Sequence, residues 1–360
     1  MILAQFEHGM DKLFLPLGLL YVADALLKEG DIDEVEIFHK HGTKRNIDKL
    51  THKVKRGQPE WVGFSVMTSP QLIPTIKSSK RLIDLVWIVW GGMHPTIIPN
   101  VGYETYVDEI VKGEGESWVI GCPNKNMDDF QPRWSLIDTK KYGGTLHLIT
   151  SRGCPHQCGF CYSPLVWKRK WKAHSIEKVV EIVESYPIKP RRLEFRDDYF
   201  FADKDRAVEI VNRLGIEWGS TIRATDVTDE LFSKFKVKPY SLYIGVETGS
   251  ERLLELMKKG ITLSDSEKAV KAGIKHNVPL YCTFIIGLPT ETPKERRQTI
   301  TFSKKLKKMG ATVRVKPYRP YPNTPLYELA IKEGFEPPTN SVGWAEYVTS
   351  EKRLYRKRYY

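Results

Sequence analysis

Long hydrophobic runs are missing from this 360-residue chain. None reaches the roughly 18 apolar residues of a membrane-spanning helix, so no membrane partner is expected. The opening stretch, MILAQFEHGMDKLF, lacks the basic-then-apolar pattern of a secretory signal. With neither feature, the cytoplasm is the default location. Cysteine is scarce as well: the five present are too few for a disulfide scaffold in a chain of this length. No repeat of fixed period and no low-complexity tract occurs, which argues against a solenoid.

Enough apolar residues remain to fold the chain, at 41%, and the length suits two domains of ordinary size. The net charge is +12. Such a surface suits nucleic acid or an acidic protein, but the basic residues are spread along the chain and read as a solvated Lys-rich surface. Two concentrations stand out, residues 168–172 (Lys-Arg-Lys-Trp-Lys) and the tail at 352–358. No aromatic-rich RNA-reading motif accompanies them, so nucleic-acid binding ranks last among the partners considered.

Helix-like and strand-like segments alternate from the start. Residues 17–28 have helical spacing, stopped by Gly30. Residues 35–38, 61–67, 86–90 and 109–111 read as strands, with a helix at 70–83. This βαβ logic predicts a doubly wound α/β domain over residues 1–120, with a ligand at its C-terminal strand ends. Residues 121–145, with Pro123, Pro132 and Gly143-Gly144, read as a linker. A second alternation follows. Strands are expected at 146–149, 192–195, 218–222, 241–246, 280–286 and 312–318. Helices are expected at 176–185, 205–214, 229–235, 264–276 and 294–309. About six βα repeats over 146–325 predict a partial (β/α)6 barrel with functional residues at its C-terminal strand ends. Residues 326–360 are left as a C-terminal extension.

Three of the cysteines fall within eight residues, in Cys154-Pro-His-Gln-Cys158-Gly-Phe160-Cys161, while Cys122 and Cys282 stand alone. Clustered cysteines in such a chain point to metal chemistry. Three thiolates on one loop suit three irons of a [4Fe–4S] cluster. The fourth iron then stays open to chelate S-adenosylmethionine. A zinc site completed by His156 is the alternative, but that histidine lies between two of the ligands and no second CxxC pair exists.

The CxxxCxxC loop and the segments behind it resemble the radical S-adenosylmethionine (SAM) superfamily. The resemblance covers residues 146–325. It implies SAM contacts at Phe160 beside the last cysteine, at Asp197 and Asp198 after the second strand, and at Arg223 after the third. It implies others at Glu247 in the Gly245-Val-Glu247-Thr-Gly249 segment, near the ribose, and at Gly287 in Gly287-Leu-Pro289, near the adenine. Plainer roles are open to each: helix capping for the aspartates, ion pairing for Arg223 and Glu247, a turn for Gly287.

Residues 1–120 resemble the cobalamin-binding domain of one large class of these enzymes. The matching residues are Leu17 in the opening helix, Ser65 and Thr68 after the third strand, Gly91, Gly92 and His94 after the fourth, and the turn Gly113, Glu114, Gly115, Glu116. The cobalt-ligating Asp-x-His-x-x-Gly motif of classical carriers is absent. His39 and His41 occupy the comparable stretch and are not expected beneath cobalt.

Together the resemblances imply an iron–sulfur, cobalamin-dependent transferase that methylates an unactivated carbon. The substrate is expected between the barrel mouth and the corrin. The short stretch after the barrel leaves no room for a further substrate domain or second cluster, which suggests a mouth open to a peptide or protein, with a glutamine side chain as one candidate. An electron donor such as flavodoxin or ferredoxin is also expected. The rivals are a radical SAM enzyme performing cyclisation, oxidation or carbon–carbon coupling, and a non-catalytic zinc or nucleic-acid-binding protein.

Overall fold

The computed structural model describes residues 1–7, 13–30, 32–98 and 104–349; the basic tail at 352–358 lies outside them. The chain forms two compact units. One comprises Met1–Lys125, Asp129–Gly143 and Glu336–Tyr360, the other Asn126–Asp128 and Gly144–Phe335.

The first unit runs β1 (Ile2–Glu7), α1 (Leu17–Glu29), β2 (Glu36–His41), α2 (Lys44–Gly57), β3 (Trp61–Ser65), α3 (Leu72–Leu82), β4 (Trp87–Gly91), α4 (Met93–Ile97), β5 (Glu109–Ile110) and α5 (Gly115–Val119). The strands pair in parallel in the order β2-β1-β3-β4-β5. This is the doubly wound topology expected from the alternation, with its switch point between β1 and β3, where ligands of such sheets bind. The interior strand β1 was not foreseen. ILAQFE is only six residues long, with polar Gln5 and Glu7 breaking its apolar run, yet it buries Ile2, Leu3, Ala4 and Phe6. α2 was also missed. Thr43 caps it by accepting from the Asn46 N–H, and Ile47, Leu50 and Val54 form its buried stripe.

The second unit runs β6 (Thr145–Leu148), β7 (Ser151–Arg152), α6 (Ser163–Val166), β8 (Lys172–Ala173), α7 (Ile176–Glu184), β9 (Arg192–Phe195), α8 (Lys204–Leu214), β10 (Glu217–Ile222), α9 (Asp229–Ser233), β11 (Pro239–Glu247), α10 (Glu251–Leu256), α11 (Leu263–Lys275), β12 (Leu280–Ile286), α12 (Pro293–Lys308), β13 (Thr312–Pro317) and α13 (Pro325–Lys332). Six strands pair in parallel in the order β13-β12-β11-β10-β9-β6, the partial barrel expected. Trp218, Phe195, Phe200 and Phe201 are fully buried in its core. β7 and β8 form a separate antiparallel pair, so the excursion carrying the cysteines is closed at its stem by a two-stranded clip.

The unit boundaries differ from the sequence reading. Most of the supposed linker belongs to the first unit. Asp24 on α1 is buried and draws the segment in. Its carboxylate pairs with Arg133 (2.8 Å) and Lys28 (2.8 Å) and accepts from the Gln131 N–H (3.0 Å). Phe130 packs beside Tyr21 and Ala25. The supposed C-terminal extension is divided as well. α14 (Ser341–Thr349) belongs to the first unit, where the Ser341 N–H donates to Glu104 (2.6 Å) and Trp344 is buried.

Removing the Asp24 carboxylate leaves two cations and a backbone donor without their common acceptor. Asp24→Ala is expected to destabilise the chain by about 2–3 kcal/mol and to expose residues 129–143 to protease. Urea unfolding with limited proteolysis reads both; unchanged cleavage would contradict the role assigned to Asp24.

Candidate active site

The cysteine loop starts where β6 ends, and two carboxylates from the end of β9 hold its base. Asp197 is fully buried. It accepts from the Thr150 N–H (2.7 Å), the Thr150 hydroxyl (2.7 Å) and the Ser151 hydroxyl (2.6 Å). Asp198 accepts from the Gly153 N–H (2.9 Å). Both were expected to contact SAM. Asp197 instead spends both oxygens on the loop, and Asp198 is engaged with it too. Neither caps the following helix, since Asp203 does that by accepting from the Arg206 N–H. Gly153 adopts φ +90°, and a Cβ there would lie 2.0 Å from the Lys170 carbonyl oxygen, so only glycine fits.

Cys158 is buried, Cys154 and Cys161 are partly exposed, and none is in a disulfide. Burial pushes the Cys161 thiol up to about 12 and raises Cys154 as well. Without a cation these thiols keep their protons, and a metal must displace them. Three thiols on one loop are the donor set for a cube in which each thiolate meets its own iron, so the residues fit the cluster.

Arg223, at the end of β10, is within hydrogen-bonding reach of Cys158 Sγ (3.9 Å) and donates to the carbonyls of Lys259 and Gly260. Glu247, at the end of β11, is buried, has φ +71°, and is paired with Lys259 at 2.7 Å. The Lys259 ammonium also lies 5.5 Å from the Phe160 ring centroid. A Cβ on Gly245 would fall 2.1 Å from the Glu247 carboxylate, so that glycine makes space for the pair. A ribose contact at Glu247 would share a carboxylate already committed to Lys259. Gly287 has φ +77°, and its N–H donates to Glu291 (2.7 Å). An open polar cleft of about 860 Å³ lies beside the loop, lined by His156, Arg223, Lys259 and α10 among others. That is the size of a small-molecule site.

Strand alternation defines the barrel's inner face. Leu242, Ile244, Cys282 and Phe284 are buried, and Phe284 packs against Phe302 of α12, so this face looks toward the helices. The opposite face carries Tyr243 and Tyr281, stacked at 4.9 Å, then Thr283, Arg314 and Lys316 in register. Tyr243 is 37% exposed. Neither this face nor Lys259 was singled out from sequence. The signal for the face lay in Val313-Arg314-Val315-Lys316, which puts two cations on one side of a strand.

In the first unit, Ser65 ends β3, Gly91 ends β4, and Gly92 leads from it into α4. Gly92 has φ +95° and lies close to the Val66 backbone. At Gly113 (φ +82°) and Gly18 a Cβ would meet nothing within 4 Å, and the Gln71 Oε1 atom is buried without a partner. Open backbone at these turns fits a large ligand at the carboxyl edge. Two of the expected contacts, His94 and Thr68, are hydrogen-bonded to each other. His94 is fully buried, its ring nitrogens held by the Thr68 hydroxyl (3.0 Å) and the Ser341 hydroxyl (3.2 Å), and burial holds it down to about 3. Leu17 and Glu116 are buried too, while Glu114 and Gly115 lead into α5. His39 is likewise engaged at both nitrogens, by Tyr142 (2.9 Å) and Glu7 (3.1 Å).

The Radical SAM superfamily model matches residues 148–303, and the B12 binding domain model matches residues 12–120. An uncharacterized methyltransferase of Pyrococcus horikoshii is 30% identical, over 96% of this chain and 84% of its own length. The bacteriochlorophyllide d C-12(1)-methyltransferase of Chlorobaculum tepidum is 22% identical, over 87% of this chain and 73% of its own. The solved structure of the radical SAM methyltransferase TsrM from Kitasatospora setae, with cobalamin and a [4Fe–4S] cluster bound, shares the fold. Its TM-score is 0.69 at 17% identity, covering 91% of this chain and 76% of TsrM. The chain belongs to the radical SAM superfamily, among its cobalamin-dependent methyltransferases. It is an enzyme, and its cofactors are a [4Fe–4S] cluster, SAM and cobalamin.

Two outcomes follow from the loop. Gly153→Ala is expected to remove most of the iron taken up on anaerobic reconstitution while leaving far-UV circular dichroism unchanged; normal iron content would contradict the tight fit. For Asp197, burial raises the carboxyl from 3.8 to about 6 against the pull of its donors. The folded chain therefore binds this proton more tightly than the unfolded one. Its ionisation costs nothing below about pH 4, costs more as pH rises to about 6, and costs a constant amount above that. Compared with Asp197→Asn, the wild type should lose about 2 kcal/mol of unfolding free energy between pH 4 and 6.5. Parallel pH profiles for the two proteins would rule this out.

Proposed function

We propose that this enzyme methylates an unactivated carbon of a peptide or protein side chain, with glutamine the first acceptor to try. The observation that carries the reading is the polar, accessible inner face of the barrel on β11, β12 and β13, with the end of β11 meeting the cysteine loop through Glu247, Lys259 and Phe160. In this reading Cys154, Cys158 and Cys161 hold the cluster. Phe160, Arg223, the Glu247–Lys259 pair and the Gly287 turn shape the SAM site, and the turns at Ser65, Gly91, Gly92 and Gly113–Gly115 take the cobalamin.

When bound, these cofactors supply hydrogen-atom abstraction and the methyl group. The chain's own part is placement. Arg314 and Lys316 are donors suited to an amide or carboxylate oxygen, and a glutamine carboxamide offers such an acceptor. The Tyr243–Tyr281 stack gives a flat apolar wall against which the side chain can be held. Arg223, through the carbonyls of residues 259 and 260, keeps Lys259 facing Glu247 and so orients the edge of the site. Cyclisation, oxidation or carbon–carbon coupling without methyl transfer is the second reading.

The test is anaerobic turnover of the loaded enzyme with methyl-deuterated SAM and glutamine-containing peptides. An intact trideuteromethyl group on carbon, with S-adenosylhomocysteine and 5′-deoxyadenosine formed in equal amounts, is expected. 5′-Deoxyadenosine without a methylated product would favour the second reading. Arg314→Ala is expected to raise the peptide KM about tenfold and leave SAM cleavage without peptide unchanged.

A further inference from the structure

We infer that the turn formed by residues 165–172 is the docking surface for an acidic one-electron carrier protein. The inference rests on the proposed function, which requires an electron from outside the chain. The turn leaves the cysteine excursion after α6 and returns through β8, where Lys172 pairs with Arg152 of β7. Between these points it lies against the loop. The Lys170 carbonyl oxygen and the Trp167 Cβ are the atoms that a Cβ on Gly153 would meet, at 2.0 and 3.2 Å, and Gly153 immediately precedes Cys154. This surface is therefore one residue removed from a cluster ligand.

Its chemistry is distinctive. Lys168, Arg169 and Lys170 are three consecutive exposed cations, and among the described residues none is paired with a carboxylate. Leu165 beside them is 37% exposed. Lys168 and Arg169 have φ +50° and +59°, a left-handed conformation that non-glycine residues rarely adopt. Two in succession on an exposed turn are an outlier that a role for the turn would explain. A cationic patch around a single apolar contact fits the small, polar interfaces of electron-transfer encounters, and charge complementarity sets their association rate. Single-stranded nucleic acid would want exposed aromatic platforms. Here Trp167 and Trp171 are partly buried, and Trp171 has Arg206 over its ring at 5.8 Å. The carrier is oxidised by one electron and the enzyme reduced by one; no bond forms or breaks at the surface.

The test uses the full-length, cofactor-loaded enzyme and its Lys168→Glu/Arg169→Glu/Lys170→Glu variant. Binding of flavodoxin, an acidic carrier, is followed by fluorescence anisotropy. SAM cleavage is measured with reduced flavodoxin and separately with dithionite. The wild type is expected to bind flavodoxin with an affinity that falls as salt rises. The variant is expected to show a Kd raised roughly tenfold or more, a matching loss of flavodoxin-driven cleavage at limiting carrier, and unchanged cleavage with dithionite. Equal flavodoxin affinity in the two proteins would overturn the inference. So would an equal loss with dithionite, which would make the turn a support for the loop, or salt-dependent binding to an RNA oligonucleotide with none to flavodoxin. If the wild type binds flavodoxin but cleaves SAM with neither reductant, the proposed function fails, and the binding data still report on the surface.

Discussion

The active-site half of the molecule depends on two adjacent carboxylates, the buried Asp197 and the half-buried Asp198, gripping one loop. Burying a carboxylate is unfavourable unless donors surround it. Asp197 meets that condition with three hydrogen bonds from Thr150 and Ser151, and Asp198 takes the N–H of Gly153. The end of β9 thereby fixes the path of the chain leaving β6. Gly153 can then turn into left-handed backbone against Lys170, and the cysteines follow on a base that cannot drift. A cofactor held by only three ligands on a single loop needs such a base, because the loop has no fourth protein ligand to close it.

The opposite wall is built from cations. Lys259 is paired with the buried Glu247, lies near the Phe160 ring, and has its own carbonyl tied to Arg223, which also reaches Cys158. Gly245 is small because the Glu247 carboxylate occupies the space a side chain would need. These residues form one unit spanning the ends of β10 and β11 and the cysteine loop. A change at any of them should be felt at the others, since a buried charge left alone is costly.

Much of this was legible in the amino-acid sequence. Arg192–Phe195 and Leu280–Ile286 were read with the bounds they have: the first alternates polar and apolar residues, and the second is an apolar run with β-branched Thr283, Ile285 and Ile286. The cysteine spacing pointed to its cofactor because few other chemistries need three thiols in eight residues. What escaped notice depended on tertiary context. β1 is too short for its brief alternation, Ala4-Gln5-Phe6-Glu7, to declare a period. Asp197 and Asp198 sit at a strand end suited equally to a ligand or to a neighbouring loop, and only the fold chooses the loop. Lys259 looks like its exposed neighbour Lys258 until Glu247 is placed beside it. α14 carries a tryptophan that needed burial but gave no sign that α3 of the first unit would supply it.

The central claim is that one chain holds two cofactors on separate units, with the cluster depending on the cysteine loop alone. Iron and cobalt analysis of the anaerobically reconstituted wild type and its Cys158→Ala variant tests it most directly. The account predicts about four irons and one cobalt per wild-type chain, and a variant that loses its iron while keeping its cobalt. Iron retained in the variant, or zinc in place of iron in the wild type, would contradict it.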